Sequence, residues 1–167
     1  CKQTGVAIGS VPGIYEILAG SKAISRTPKI DINRLLHRAP IIIDESEVNL
    51  CLSGATVLVT GAGGSIGSEL CRNIARHGPK ELILLGHGEN SIFEINLDLS
   101  LSYPNLTTRP VIADVRNRDQ INQVIGQYRP TIIFHAAAHK HVPLMEANVE
   151  EAFSNNVLGT HNVLQAA

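Results

Sequence analysis

No stretch of this sequence reaches the roughly 18 to 20 consecutive apolar residues needed to cross a bilayer, and the N-terminus lacks the basic and apolar regions of a signal peptide. The chain itself is therefore read as not membrane-embedded. Cysteine is scarce: Cys1, Cys51 and Cys71 are odd in number and form no CxxC pair, which argues against a disulfide framework or a zinc ribbon and for a reducing cytosolic setting. Charge of one sign is also missing. The formal net charge is -1, and neither half carries a run of Lys and Arg able to neutralise phosphates over an extended surface, so nucleic acid is not an expected partner. There is no internal repeat and no low-complexity tract. What is present, with 44% of the 167 residues hydrophobic and 17% charged, is an ordinary globular composition.

Residues 1–40 are punctuated by Pro12, Gly13, Gly20, Pro28 and Pro40 and hold only short apolar stretches such as Ile14 to Leu18. Together with Ile41-Ile42-Ile43 and a short helix expected from Asp44 to Leu52, ended by Ser53-Gly54, they form a lead-in over residues 1–54. From residue 55 the pattern becomes regular. Strand signals at Thr56 to Thr60, Glu81 to Leu85, Pro110 to Asp114 and Thr131 to His135 alternate with helical ones. The alternation predicts an α/β fold, a Rossmann-type doubly wound parallel sheet. The runs TVLVT, ELILL and TIIFH are almost wholly apolar, as expected of strands covered on both faces.

Each helix has local support. The first places Ile66, Leu70 and Ile74 at four-residue spacing and stops at Gly78-Pro79. The second is expected to open at Ser91, where Ser91 to Glu94 fits a capping box. The third carries Ile121, Val124, Ile125 and Tyr128 on one stripe, and the last, about Glu150 to Ala167, carries Phe153, Val157 and Leu164. A complete dinucleotide fold needs a fifth parallel strand, so the sheet is expected to be truncated after the fourth strand and its following helix.

Between the first strand and the first helix lies Thr60-Gly61-Ala62-Gly63-Gly64-Ser65-Ile66-Gly67. Such a turn receives a dinucleotide for three reasons: Gly61 permits the tight turn, Gly64 lets the backbone approach the pyrophosphate, and Gly67 lets the helix pack closely on the strand. The unpaired N–H groups of the helix start, Ser65 and Ile66 among them, then meet the diphosphate at the positive end of the helix dipole; the Ser65 hydroxyl is placed to add a donor. A P-loop is disfavoured because Gly67 is followed by Ser68, not by the Lys-Ser/Thr pair. The expected cofactor is therefore NAD or NADP. An acidic residue gripping the adenosine ribose would close the second strand, but Gly86-His87-Gly88-Glu89-Asn90 stands there, so the choice between the two stays open. His87, Glu89 or Asn90 is a candidate ribose contact, and equally an ordinary loop residue.

Asp114 and Val115 end the third strand where the adenine would lie, with Asp114 also a candidate cap of the next helix. Ala136-Ala137-Ala138 follows the fourth strand, and small side chains there admit the middle of the cofactor. Lys140, His141 and Glu146 lie just beyond, at the carboxyl ends of the strands, and are candidates for contact with a sugar or diphosphate; a solvated loop is the alternative. No metal site is expected, since the histidines there have no third or fourth ligand nearby. Asn156 is a candidate to hold the fourth-strand loop by hydrogen bonds.

These segments, the TGAGGSIG turn, LILLGHGENS, VIADVRNRD and FHAAAHKHVPLMEANVEEAFSNNVLGTHNVLQAA, together resemble the extended short-chain dehydrogenases. The resemblance is strongest to the bacterial polysaccharide-biosynthesis nucleotide-sugar 4,6-dehydratases. It covers about Cys51 to Ala167, and the AAAHKHVPLME and NNVLGT segments carry more of it than the glycines. It implies the cofactor-binding portion of an NAD(P)-dependent lyase that dehydrates a UDP-N-acetyl-hexosamine such as UDP-GlcNAc: C4 oxidation, loss of water across C5 and C6, hydride return to C6. It also implies that Gly61, Gly64, Gly67, Asp114 and Ala136 to Ala138 occupy cofactor positions. The lead-in segments PGIYEIL and IDINRLLHR resemble those of long, membrane-tethered members, which implies a cytoplasmic domain with a tether upstream of Cys1. A nucleotide-sugar epimerase or reductase, or a non-catalytic NAD(P)-sensing module, is the rival reading.

The family's catalytic Thr/Ser-Asp-Lys segment and Tyr/Met-x-x-x-Lys pair follow the fifth strand, beyond Ala167. Tyr15, Tyr103 and Tyr128 are followed four residues later by Ala19, Thr107 and Ile132, so no YxxxK is present. No catalytic residue is thus expected within this chain, which alone is expected to be inactive, and a bare sheet edge favours association into a homo-oligomer.

Overall fold

In the computed structural model, which describes residues 45–167, four strands form one sheet in the order β3-β2-β1-β4. They are β1 (Thr56–Thr60), β2 (Glu81–Gly86), β3 (Thr108–Ile112) and β4 (Ile132–His135). All pairings are parallel: Leu58 stands opposite Ile83 on one side and Ile133 on the other, and Leu84 opposite Pro110. The helix expected around Ile14 to Leu18 and the Ile41 to Ile43 run lie outside the described residues.

The two strands at the centre explain the uninterrupted apolar runs. Val57, Val59, Leu82 and Leu84 face one layer, packed with Ile74 of α2 (Ser65–Ala75) and with Ile92, Ile95 and Leu99 of α3 (Glu89–Ser102). Leu58, Ile83 and Leu85 face the other, packed with Ile121 and Val124 of α4 (Arg118–Tyr128) and with Val163. Alternate residues therefore feed two cores, and none of these seven strand side chains is more than 1% exposed. Each contributes roughly 1.5–3 kcal/mol of burial relative to exposure. The doubly wound parallel arrangement is the one that the alternation of strands and helices predicts.

Several boundaries differ from expectation, each for a local reason. The short helix α1 (Glu45–Leu52) packs on the sheet: Leu52 is buried in the first core with Val48 against it. Helix α3 opens at Glu89 with Gly88 as its cap, two residues before Ser91, and no capping box forms. Ser91 instead donates its hydroxyl to the Gly88 carbonyl at 3.0 Å, because it sits under the glycine turn. Strand β3 runs from Thr108 to Ile112 and ends before Asp114. Pro110 is accommodated because β3 pairs with β2 alone, leaving the missing N–H on the open side.

The last helical stretch runs from α5 (Val142–Ala147) and α6 (Val149–Ala152) through a π-helical turn, Phe153–Gly159, into α7 (Thr160–Ala166). The expected apolar stripe is on the wrong side. Phe153, Val157 and Leu164 are 55%, 50% and 70% exposed, whereas Asn155, Gly159 and Val163 face inward. The inward face is small and polar because it lies over loops: Asn155 bonds the Ala137 carbonyl, and a Cβ on Gly159 would stand 2.8 Å from Val115 Cγ2. A π turn widens the helix at that point, as such turns commonly do near functional sites.

Candidate functional site

The chain leaves β1 toward β2 and β3 on one side and returns to β4 on the other, so the switch point lies between β1 and β4. Ligands of open α/β sheets bind at that place, outside the carboxyl ends of the strands. An open cavity of about 210 Å³ lies there. Gly61, Gly63 and Gly64 line it after β1, Gly86, His87, Gly88 and Ser91 around the end of β2, Ala113 and Val115 after β3, and Ala136 to His139 after β4.

The glycine turn has no room for side chains. Gly61 has φ +66°, and a Cβ on it would stand 2.7 Å from the Ala136 carbonyl oxygen. A Cβ on Gly67 would come within 2.0 Å of the Gly61 carbonyl oxygen, so α2 can approach β1 only with glycine at this position. Gly64 closes the turn by donating its N–H to Gly61 O at 2.9 Å and then caps α2 without any side chain to occupy the helix's free donors. The first bond back into the helix is from Ser68 N–H to Gly64 O at 2.8 Å. The N–H groups of the opening turn therefore have no intrahelical acceptor, at the positive end of the helix dipole. This donor set fits a diphosphate: several main-chain N–H groups and no side chain in front of them.

The remaining sequence candidates divide. Val115 and Ala136, Ala137 and Ala138 line the cavity, and so does His87. Ser65 and Ile66 lie on the outer side of the first turn of α2, and Asn90 is exposed on α3; none of the three lines the cavity, so they reach it through backbone at most. Asp114 stands beside Val115 with its carboxylate gripped by Arg116, at 2.5 Å from Nη2 and 2.9 Å from the backbone N–H. Those bonds hold its carboxyl below the usual carboxylate range. It does not cap α4; Asn117 does, accepting from Gln120 N–H at 3.1 Å. Lys140 and Glu146 line a more open depression of about 370 Å³ with Met145 and Val149, reached past His139, which borders both spaces. His141 lies at the start of α5, outside both. Among the described residues no group of three His, Cys, Asp or Glu is placed to hold a metal ion, and no helix is long and apolar enough to cross a membrane.

Asn156 holds the loop after β4 as its position suggests: its side chain accepts from His139 N–H at 2.8 Å and donates to His139 O at 2.9 Å. Four features were not singled out from the sequence: Asn155, Gly63, the Arg116–Glu151 pair and His135. Asn155, 6% exposed, lines the cavity and donates to Ala137 O at 2.8 Å; the doubled Asn of SNNVLG was its only signal. A Cβ on Gly63 would stand 2.4 Å from Ser91 Oγ, which locks the turn onto α3. Arg116 also binds Glu151 through Nη1 at 2.9 Å, and Glu151 lies 3.1 Å from His139 Nε2, tying the β3 and β4 loops together. The fourth is His135, discussed below.

Similarity to known proteins follows this architecture. Along its whole length the chain is 46% identical to the capsular polysaccharide biosynthesis protein CapD of Staphylococcus aureus and 48% identical to the probable polysaccharide biosynthesis protein EpsC of Bacillus subtilis. It spans 28% of the length of each. Over 68% of its residues it is 30% identical to the UDP-N-acetylglucosamine 4,6-dehydratase (inverting) of Campylobacter jejuni, of which it spans 33%. Among solved structures, Pen from Bacillus thuringiensis matches 70% of this chain and 35% of its own at 31% identity and a TM-score of 0.61. A UDP-glucose-4-epimerase from Stenotrophomonas maltophila, solved with bound NAD and formylated UDP-arabinopyranose, matches 67% of this chain and 33% of its own. At 23% identity and a TM-score of 0.58, that match is a likeness of fold. Residues 57–167 match the polysaccharide biosynthesis protein family as a continuous stretch, so the chain belongs to the polysaccharide biosynthesis protein family.

Proposed function

We propose that this chain is the NAD(P)-binding portion of a UDP-N-acetyl-hexosamine 4,6-dehydratase serving bacterial surface-polysaccharide biosynthesis. The observation that carries the reading is the glycine cradle, where positions 61 and 67 exclude a Cβ by backbone contact and Gly64 leaves the α2 donors free. A nicotinamide cofactor bound there would supply the hydride chemistry, between C4 and C6 of the sugar. The residues present here would bind and orient it: the α2 N-terminus would receive the diphosphate, Ala136 to Ala138 would admit the middle of the cofactor, and Val115 would lie on the adenine side. His87 is the candidate for the ribose, and Lys140 and Glu146 for the nucleotide-sugar side. The likeness to the dehydratase of Campylobacter jejuni supports this choice, and the glycine turn supports the cofactor. A nucleotide-sugar epimerase would use the same cofactor half, and 34% identity over 67% of the chain to the UDP-glucose 4-epimerase of Rickettsia rickettsii supports it as the second reading.

Titration calorimetry with NAD+ and NADP+ tests the proposal. Saturable binding lost in Gly64→Val is expected, since the new side chain would fill the diphosphate's place. A folded chain that binds neither dinucleotide would refute the cofactor assignment. Incubating the full-length enzyme with UDP-GlcNAc and following the sugar by proton NMR separates dehydration, which removes the C6 hydroxyl, from epimerisation, which does not.

A further inference from the structure

His135, the last residue of β4, is half-buried between two hydroxyls: Nδ1 lies 2.7 Å from Thr60 Oγ1 and Nε2 lies 2.9 Å from Thr160 Oγ1. Neighbouring bonds fix where the protons are. The Thr160 hydroxyl donates to the Asn156 carbonyl at 2.7 Å, so its one proton is spent and toward His135 it accepts; Nε2 must carry a hydrogen. Thr60, 0% exposed, receives the Ala136 N–H twice, at its carbonyl at 3.1 Å and at Oγ1 at 3.2 Å, and its hydroxyl proton goes to Nδ1. Nδ1 is therefore bare. An imidazolium would set a second hydrogen against the Thr60 proton and strand a buried donor.

The chain of bonds is continuous, from Ala136 N–H through Thr60, the imidazole and Thr160 to Asn156. Its ends are the two ends of one loop. Ala136 sits against Gly61, and His139 is held at both N–H and carbonyl by the Asn156 side chain. We infer that His135, as the neutral tautomer with hydrogen on Nε2, is a positioning residue that sets the Ala136 to His139 wall of the cavity against the glycine turn. The inference rests on the reading of that cavity as a dinucleotide site.

The surroundings suit a neutral ring. Strands β1 and β4 carry no other titratable side chain, the π turn carries none, and α7 carries only His161, which is exposed. On the loop itself His139 turns to Glu151. Burial pushes the His135 imidazole below the ordinary histidine value.

Nitrogen-15 NMR of the full chain with labelled histidine reads the tautomer directly, the His135 signal being identified by its loss in His135→Gln. A pyrrole-type Nε2 with a pyridine-type Nδ1 at neutral pH is expected; the opposite tautomer, or an imidazolium, overturns the inference. Three variants then grade the relay. His135→Asn retains an acceptor for Thr60, His135→Gln retains a donor for Thr160, and His135→Phe has neither. Hydrogen exchange at Ala136 to His139 should accelerate in all three and most in His135→Phe, with dinucleotide affinity falling roughly tenfold there, the equivalent of one or two neutral hydrogen bonds. Wild-type affinity should also decline as pH falls below the ordinary histidine range, more steeply than that of His135→Gln. Unchanged loop exchange in the folded Asn and Gln variants would overturn the inference even if His135→Phe does not fold. If the wild type binds no dinucleotide, the cofactor reading fails, while the tautomer and the loop exchange still decide the role of His135.

Discussion

Replacing glycine by alanine inside a helix ordinarily stabilises a protein by about 0.5–1 kcal/mol, through helix propensity and a stiffer unfolded chain. Two glycines here should respond with opposite signs. Gly126 lies within α4 with nothing within 4 Å of the position of a Cβ, so Gly126→Ala should gain the full amount. Gly67 lies within α2 with a Cβ position 2.0 Å from Gly61 O, 2.7 Å from Gly61 C and 3.0 Å from Ala62 Cα. All three obstacles are backbone. Reaching ordinary contact near 3.4 Å means that helix and turn separate by about 1.4 Å, in an interior packed as densely as an organic crystal. Overpacking typically costs about 1–3 kcal/mol, toward the upper end where backbone must move, so the net loss in Gly67→Ala should be about 2 kcal/mol after the propensity gain. Urea denaturation followed by circular dichroism measures both. On thermal melting, each kcal/mol should appear as a shift of about 3–6 °C for a unit of this size. Gly67→Ala should also lose dinucleotide binding, because the displaced α2 N-terminus carries the free donors. Wild-type stability in Gly67→Ala would refute the argument from close approach, and destabilisation in Gly126→Ala would refute the claim that its surroundings are open.

The Asp114 carboxyl, held below its ordinary value by Arg116, should contribute stability that is fully present above the ordinary carboxylate value near 3.9 and lost as pH falls through its own lower value. Carbon-13 titration of the carboxyl should place its midpoint below 3.8, and Arg116→Met should return it to the ordinary range. Cys71, 0% exposed and with its thiol pushed up to about 12 by burial, should resist alkylation at neutral pH until the unit unfolds, whereas exposed Cys51 should react at once. Peptide mapping after a short iodoacetamide pulse distinguishes the two, and equal labelling in the native state would contradict the buried placement of Cys71.

The parts of the site that were legible are those whose constraint is local. At Gly61 and Gly67 the residue type itself records a positive φ or a missing Cβ, and the fold needs nothing else there. The runs TVLVT and ELILLG were legible because burial on both faces confines polar residues to the strand ends. The last helix misled for the opposite reason. An apolar stripe points to the core only if what lies beneath it is apolar and has room; beneath the π turn lie the carbonyls and N–H groups of the β4 loop, which call for Asn155 and Asn156, and the Val115 side chain, which leaves space only for Gly159. His135 was hidden in the same way: at the end of TIIFH it reads as a strand terminus, and its partners Thr60 and Thr160 are 75 and 25 residues away. Ser91 fitted a capping box by sequence, but the approach of Gly63 placed it inside the first turn of α3. Tertiary contact decided each of these.

The cavity lining has a further consequence for what it selects. Its titratable side chains are His87 and His139 alone, with no lysine, arginine or carboxylate among the lining residues. Two phosphate charges placed there would be met by peptide dipoles, chiefly those of α2, whose end is equivalent to about half a positive charge confined to its first turn. Such a field falls off within a few ångströms and is directional, unlike that of a flexible lysine. Affinity for a dinucleotide would therefore depend on seating its diphosphate against the backbone of Gly61 to Gly64, and any side chain that lifted it away would forfeit most of the interaction. Such a requirement would account for a wall built from Gly and Ala at positions 61, 63, 64 and 136 to 138. If the proposed function holds, discrimination among nucleotide sugars would fall outside this wall, toward Lys140 and Glu146 in the neighbouring depression.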